Sequence, residues 1–266
     1  MKLKDLINKS YYVANGYVDS IESLNMLEKY ITHILNVLKE FKGVIIATTY
    51  KEQDPKLIET NKILWQHYVP NSILIDIKEN RGHSFGIADS ENALIDYCKE
   101  NDIDWICKSS NDVIFQEIIL DKEINNADFY YLEGIGISGM KPYDYDFDRI
   151  KNEYFYPQTN FYFINVSKID YLYDKDYVNE TYKQIQQLEN YNGKIWEYIE
   201  GWTCEDFLKN CVNRNNLIKE HIVPDEKYTL LLHIVKDNNI QDSSFKNIMI
   251  EGICHLQWSN EPIFNI

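Results

Sequence analysis

The chain has 266 residues, and its 27 Lys and Arg against 42 Asp and Glu leave a formal charge of -15. That length can bury a full core as one large domain, while so acidic a chain would repel a nucleic-acid backbone or an anionic membrane, so neither is expected as a partner. Cys98, Cys107, Cys204, Cys211 and Cys254 are odd in number and form no CxxC pair, which argues against a secreted disulfide framework and for a reducing compartment.

The opening MKLKDLINKSYYV lacks the long apolar stretch of a signal peptide, and no run approaches the ~20 apolar residues of a membrane span. A cytoplasmic protein without an integral membrane segment is expected. From Ser20 to Phe41 apolar residues recur at Ile21, Leu24, Leu27, Tyr30, Ile31, Ile34, Leu35, Leu38 and Phe41, the spacing of an amphipathic helix with one buried face. Gly43 ends it. Val44 to Ala47 then reads as a buried parallel strand whose carboxyl end, Thr48-Thr49-Tyr50, opens toward a ligand crevice.

A helix is expected over Ile58–Tyr68, a second buried strand over Ile73–Ile77 ending at Asn80-Arg81-Gly82, and a further helix over Ala88–Glu100. Trp105–Cys107 follows as the third strand, leading through the small polar turn Ser109-Ser110-Asn111 to Asp112. Helices alternating with short apolar strands predict an α/β fold, a single mostly parallel central sheet with helices on both faces. In such sheets ligands sit beyond the carboxyl ends of the strands, and Thr48–Tyr50, Asn80–Gly82 and Ser110–Asp112 all follow strands.

The second half is less regular. Asp128–Leu132 reads as a strand, Glu133–Asp148 as a Gly-, Tyr- and Asp-rich loop over the crevice, Pro157–Val166 as a half-buried strand, and Tyr177–Leu188 and Asp206–Val212 as helices. Thr229–Val235 and Ile248–Cys254 are apolar runs near the end.

The order of these pieces resembles the nucleotide-sugar-dependent glycosyltransferases of the GT-A fold. It rests on the strand ending in Thr48-Thr49-Tyr50, the Asn80-Arg81-Gly82 turn, the strand leading to Asp112 and the later Glu205-Asp206 pair, and covers roughly Val44 to Phe207. The resemblance implies a single GT-A-like domain over 1–266: an N-terminal helical extension over 1–42, a nucleotide-sugar-binding, Rossmann-like half over 43–132 and an acceptor-binding half over 133–266.

It also implies roles. Thr48, Thr49 and Tyr50 would line the nucleotide end, and Asn80, Arg81 and Gly82 would approach the ribose, diphosphate or sugar. Ser110, Asn111 and Asp112 would stand where the family carries Asp-x-Asp, with Ser110 replacing the first aspartate, so that Asp112 would coordinate a divalent cation (Mn2+ or Mg2+) alone, helped by Asn111 and water. His255 would be a further metal ligand from the C-terminal part. Glu205 or Asp206 would be the general base that deprotonates the acceptor hydroxyl.

Each of these residues also has a plain structural reading. Asn and Asp favour turns by bonding their own backbone, acids favour the first turn of a helix, and a late histidine can be core. The expected partners are a nucleotide-sugar donor and a glycan or other hydroxyl acceptor. The alternatives are a degenerate member of the fold that binds a nucleotide sugar or glycan without turnover, and a sugar nucleotidyltransferase, against which the lack of a lysine- and glycine-rich N-terminal loop speaks. The P-loop, GxSxG and HExxH are all absent, which excludes the usual NTPase, hydrolase and zincin signatures.

Overall fold

The computed structural model describes residues 1–50, 54–78, 81–133, 157–188, 202–223, 248–255 and 264–265, with isolated positions between 195 and 237. Its elements run α1 (Leu3–Lys9), β1 (Tyr11–Val18), α2 (Ile21–Leu38), β2 (Gly43–Tyr50), α3 (Pro55–Tyr68), β3 (Ile73–Asp76), α4 (His83–Glu100), β4 (Trp105–Ser109), β5 (Val113–Phe115), β6 (Phe129–Glu133) and β7 (Pro157–Asn165). They continue with α5 (Lys175–Ile185), α6 (Cys204–Arg214), β8 (Lys219–His221), β9 (Ile248–Met249), β10 (Ile253–His255) and β11 (Phe264–Asn265).

Local chemistry sets several of these boundaries. Ser20 caps α2 by accepting a hydrogen bond from the Ser23 N–H, and Asp54 caps α3 with Pro55 directly behind it, the placement that a fixed φ and a missing N–H favour. Helix α4 begins at His83, five residues before the expected Ala88, because Gly82 takes φ +93° at its N-cap. That left-handed backbone suits glycine.

The central sheet has seven strands in the order β3-β2-β1-β4-β7-β6-β8. Strands β3, β2, β1 and β4 are mutually parallel, β7 is antiparallel to both of its neighbours, and β8 is parallel to β6. The sheet is therefore mostly parallel, as the alternation of helix and strand predicts. The period of two along the strands divides the core. Tyr12, Ala14, Val44 and Ile46 pack with α1, α2 and α3 on one face, while Val13, Ile45 and Ala47 pack with α4, α5 and α6 on the other.

The stretch 1–42, expected as helical, contains β1, and β1 sits in the middle of the sheet between β2 and β4. Trp105–Ser109 is therefore the fourth strand rather than the third. The chain winds outward from β1 through α2, β2 and α3 to β3, then crosses back over the opposite face through α4 to reach β4 on the far side of β1. That reversal is a topological switch point, and the crevice it opens lies at the carboxyl ends of β1 and β4.

The expected loop over Glu133–Asp148 lies outside the described residues apart from Glu133 at the end of β6, as does most of Thr229–Val235. The apolar run Ile248–Cys254 divides into β9 and β10 around Glu251 and Gly252, both at positive φ.

Candidate functional site

A cavity of about 520 Å3 opens at the switch point, within the range of about 300–1,000 Å3 typical of small-molecule sites. Strand β1 contributes Asn15 and Tyr17, the end of β2 contributes Thr49, and the turn after β4 contributes Ser110, Asn111 and Asp112. Gly82, Gly86 and Glu91 come from the start and middle of α4, Lys108 from β4, Thr159 from β7 and Cys204 from the start of α6. The three strand-end segments expected to converge each send at least one residue here.

Three side-chain atoms on this lining are buried and have no hydrogen-bond partner among the described residues, Asn15 Oδ1, Thr49 Oγ1 and Asn111 Oδ1, and a fourth, Glu91 Oε1, has an ion pair with Lys108 but no aligned hydrogen bond. Leaving a buried polar atom unpaired costs roughly 1–3 kcal/mol. Several around one cavity mark a surface made to meet polar groups of something else.

Ser110, Asn111 and Asp112 form a turn held from β7. The Ser110 N–H donates to the Asn160 carbonyl at 2.8 Å, and the Val113 N–H closes the turn on the Ser110 carbonyl at 3.2 Å. Asp112 is half-buried. Its negative charge helps to hold the cavity-lining Tyr30 in its neutral form, whose phenol is raised to about 12, first by burial and then by Asp112. Strand β5 pairs antiparallel with β10 so that His255 stands opposite Val113, the residue after Asp112. The side chain of His255 lies outside the described residues. Among the described residues no cluster of three or more His, Cys, Asp and Glu is positioned to hold a metal ion.

Other expected residues are occupied elsewhere. Thr48 is fully buried and its hydroxyl lies 2.8 Å from Asp76 Oδ1 and 3.2 Å from the Ile75 carbonyl, so it ties β2 to β3 and does not reach the cavity. The Arg81 guanidinium grips Asp89 through Nε at 2.8 Å and Nη2 at 2.5 Å, donates to Asn179 Oδ1 at 2.9 Å and lies over the Tyr182 ring. The two-pronged contact with a carboxylate, a geometry that also suits a phosphate, here ties the turn before α4 to Asp89 on α4, and the contacts with Asn179 and Tyr182 tie it to α5. Gly82 does line the cavity, Tyr50 ends β2 with its side chain outside the described residues, and Asn80 lies outside them altogether.

The acids of α6 divide in the same way. Asp206 belongs to the helix cap: its N–H donates to Thr203 Oγ1 at 3.1 Å and its carboxylate accepts from that hydroxyl at 2.7 Å. Glu205 accepts from the hydroxyl of the cavity-lining Thr159 at 3.0 Å and directly follows the cavity-lining Cys204. Of the pair, Glu205 is the one tied to the cavity. The Cys204 thiol is raised to about 12, by burial first and then by the Glu205 and Glu91 carboxylates, so it is a neutral wall group at neutral pH and not a nucleophile.

Sequence reasoning missed Lys108 and Glu91. Lys108 is 4% exposed and Glu91 2%, and both line the cavity, with Lys108 Nζ 3.0 Å from Glu91 Oε1. The signal was a lysine within an apolar strand, since lysine is almost never fully buried without a partner.

The sequence matches no protein-family model and no curated protein. Among solved structures the chain is similar to the nucleoside-diphosphate-sugar pyrophosphorylase from Vibrio cholerae RC9, at 12% identity over 83% of this chain and 99% of that one, with a TM-score of 0.39. A likeness at that level says nothing about chemistry.

Proposed function

We propose that the chain is an enzyme that binds a nucleotide sugar in this cavity and transfers the sugar to a glycan or other hydroxyl acceptor, as a glycosyltransferase of GT-A type. The observation that supports the reading most strongly is the meeting of Thr49, Gly82 and Ser110–Asp112 on one cavity at the switch point, where α/β sheets bind nucleotide ligands.

The chemistry follows from what leaves. Breaking the bond between the anomeric carbon and a nucleoside diphosphate builds negative charge on the departing oxygen, and a positive charge fixed beside it lowers the barrier. Asn111 Oδ1 is a buried oxygen without a hydrogen-bond partner among the described residues, on the residue before Asp112 in the cavity lining, and hard oxygens of this kind suit Mg2+ or Mn2+. Asp112 and Asn111, with His255 from the neighbouring strand, would hold such a cation, which when bound would supply that positive charge. Glu205, at the start of α6, is the proposed base for the acceptor proton, held in place by the Thr159 hydroxyl.

A second reading is a sugar nucleotidyltransferase, which joins a nucleoside triphosphate to a sugar phosphate. Lys108 is the cation on the cavity wall that this reading would use for phosphate oxygens, at the cost of drawing it from Glu91.

One assay separates these readings. The protein with manganese is offered UDP-, GDP-, CMP- and dTDP-sugars, with and without simple glycoside acceptors, and release of nucleotide is followed. In parallel, nucleoside triphosphates are mixed with sugar 1-phosphates and pyrophosphate is followed. Nucleotide release from a sugar donor supports the transferase, and pyrophosphate release supports the nucleotidyltransferase. Binding without either product makes the chain a nucleotide-sugar-binding protein of the same fold.

A further inference from the structure

The buried pair Lys108 and Glu91 sits on the wall of the cavity, and its hydrogen bonding is incomplete in a particular way. Lys108 Nζ donates to the Thr159 carbonyl at 2.5 Å and lies 3.0 Å from Glu91 Oε1. Glu91 Oε1, despite that distance, receives no aligned hydrogen bond. The hydroxyls of Ser90 and Thr159 are directed elsewhere, to the Gly86 carbonyl and to Glu205. Beside its ion pair this carboxylate oxygen keeps accepting capacity that no described group uses, and a carboxylate oxygen can only accept.

The group that completes this site must therefore bring a donor. An ionised phosphate brings acceptors alone and would face the Glu91 carboxylate, while the charge of Lys108 is already matched by Glu91. A sugar hydroxyl donates and accepts, so one hydroxyl can donate to Glu91 and it or its neighbour can accept from Lys108. Thr159 places this chemistry beside the proposed base, because its carbonyl binds Lys108 and its hydroxyl binds Glu205.

We infer that Lys108 and Glu91 form a hydroxyl-reading subsite that holds the transferred sugar of the donor, with the diphosphate turned toward Asp112. This rests on the nucleotide-sugar reading above. The pair fixes which hydroxyl configuration is accepted, because a donor sugar lacking the matching O–H leaves a buried carboxylate oxygen unpaired.

The test uses isothermal titration with manganese of the unaltered chain, the Glu91→Gln variant and the Lys108→Met/Glu91→Leu double variant. The double variant exchanges the pair for apolar groups of similar size, a change buried pairs often tolerate, and circular dichroism verifies its fold. The probes are UDP-glucose, UDP-N-acetylglucosamine and GDP-mannose, each beside UDP or GDP. The expected result is a sugar nucleotide bound better than its diphosphate by the unaltered chain and weakened about tenfold or more in both variants, since a hydrogen bond to a charged group is lost. UDP and GDP should bind all three proteins alike.

Equal weakening of UDP or GDP would make the pair a phosphate or base contact and overturn the inference. So would an unchanged sugar nucleotide, or one bound no better than its diphosphate. If the unaltered chain binds none of these nucleotides, the nucleotide-sugar reading fails, and saturation-transfer NMR with methyl glycosides of glucose, galactose and mannose decides the subsite alone. Glycoside binding lost in Glu91→Gln upholds it. No glycoside binding, or binding that the variant keeps, overturns it.

Discussion

Two parts of the cavity lining are built on different principles. In one part Ser110, Asn111 and Asp112 sit half-buried on a turn whose backbone is fixed by β7. In the other part Lys108 and Glu91 are almost entirely buried, on a central strand and the middle of a helix, and hold each other. A half-buried carboxylate is reached by water and can exchange ligands, whereas a buried charge is tolerated only with its partner. The first part is suited to a cation and a leaving group that come and go; the second is a fixed template.

The sharpest way to break that contrast is to remove one member of the pair. Lys108→Met alone takes the cation away from Glu91, which is 2% exposed, and should cost about 3–5 kcal/mol in urea denaturation. Asp112→Asn, on the turn, should cost less than about 1 kcal/mol in the same measurement, as do most changes at partly exposed positions away from the core. Equal costs at both positions would mean that the two parts do not differ as described.

The turn should instead reveal itself in turnover. Asp112→Ala is expected to lower manganese-dependent release of nucleotide from a sugar donor by about 100- to 1,000-fold, the scale of losing one preorganised electrostatic contact to a developing charge. The melting temperature should hardly change. Full activity in this variant would remove Asp112 from the chemistry, and a collapse in stability would assign it to the scaffold.

The same contrast explains what could be read from the sequence. Helix α2, strands β2, β3 and β7 and the convergence on Asp112 follow from local periodicity and from the rule that ligands lie at strand ends, and these are visible in one dimension. Strand β1 is not. Its centre is Asn15-Gly16, a pair that ordinarily marks a turn, and only pairing with β2 and β4 on both sides makes it a strand. Thr48 and Arg81 resemble ligand contacts until their partners Asp76, Asp89 and Asn179 arrive from other elements. The Lys108–Glu91 pair joins a strand to a helix 17 residues earlier in the chain, and no local pattern encodes it.

Gly16 offers a test of that tertiary override. A Cβ there would stand 2.8 Å from Ile46 Cγ2 on β2, so β1 and β2 would have to move apart or Ile46 would have to leave its rotamer. Gly16→Ala should therefore destabilise the chain by about 1–3 kcal/mol, the usual cost of overpacking a core. Within an ordinary strand the same exchange would be favourable, because glycine carries the greater entropy loss on folding. A neutral or stabilising result would show that the β1–β2 contact is looser than the register implies.

The smallest effect is expected from an ion cluster outside the cavity lining, and it sets the scale for the buried pair. Asp170 accepts from Arg214 Nη2 at 2.9 Å, from Asn215 Nδ2 at 3.2 Å and from the Tyr171 N–H at 2.8 Å. Although partial burial pushes the other way, these contacts, Arg214 foremost, lower its carboxyl from 3.8 to about 2. A carboxyl whose folded value is depressed contributes stability that is complete above the unfolded value, and that is lost as the pH falls through the folded one. The Asp170 contribution should therefore disappear between about pH 4 and pH 2. Since the Asp170 side chain is 48% exposed, solvent screening limits that contribution to about 1 kcal/mol or less. Asp170→Asn should melt slightly below the unaltered chain at pH 5, and the two curves should converge toward pH 2. A gap that persists unchanged at pH 2 would mean that Asp170 acts through packing rather than charge.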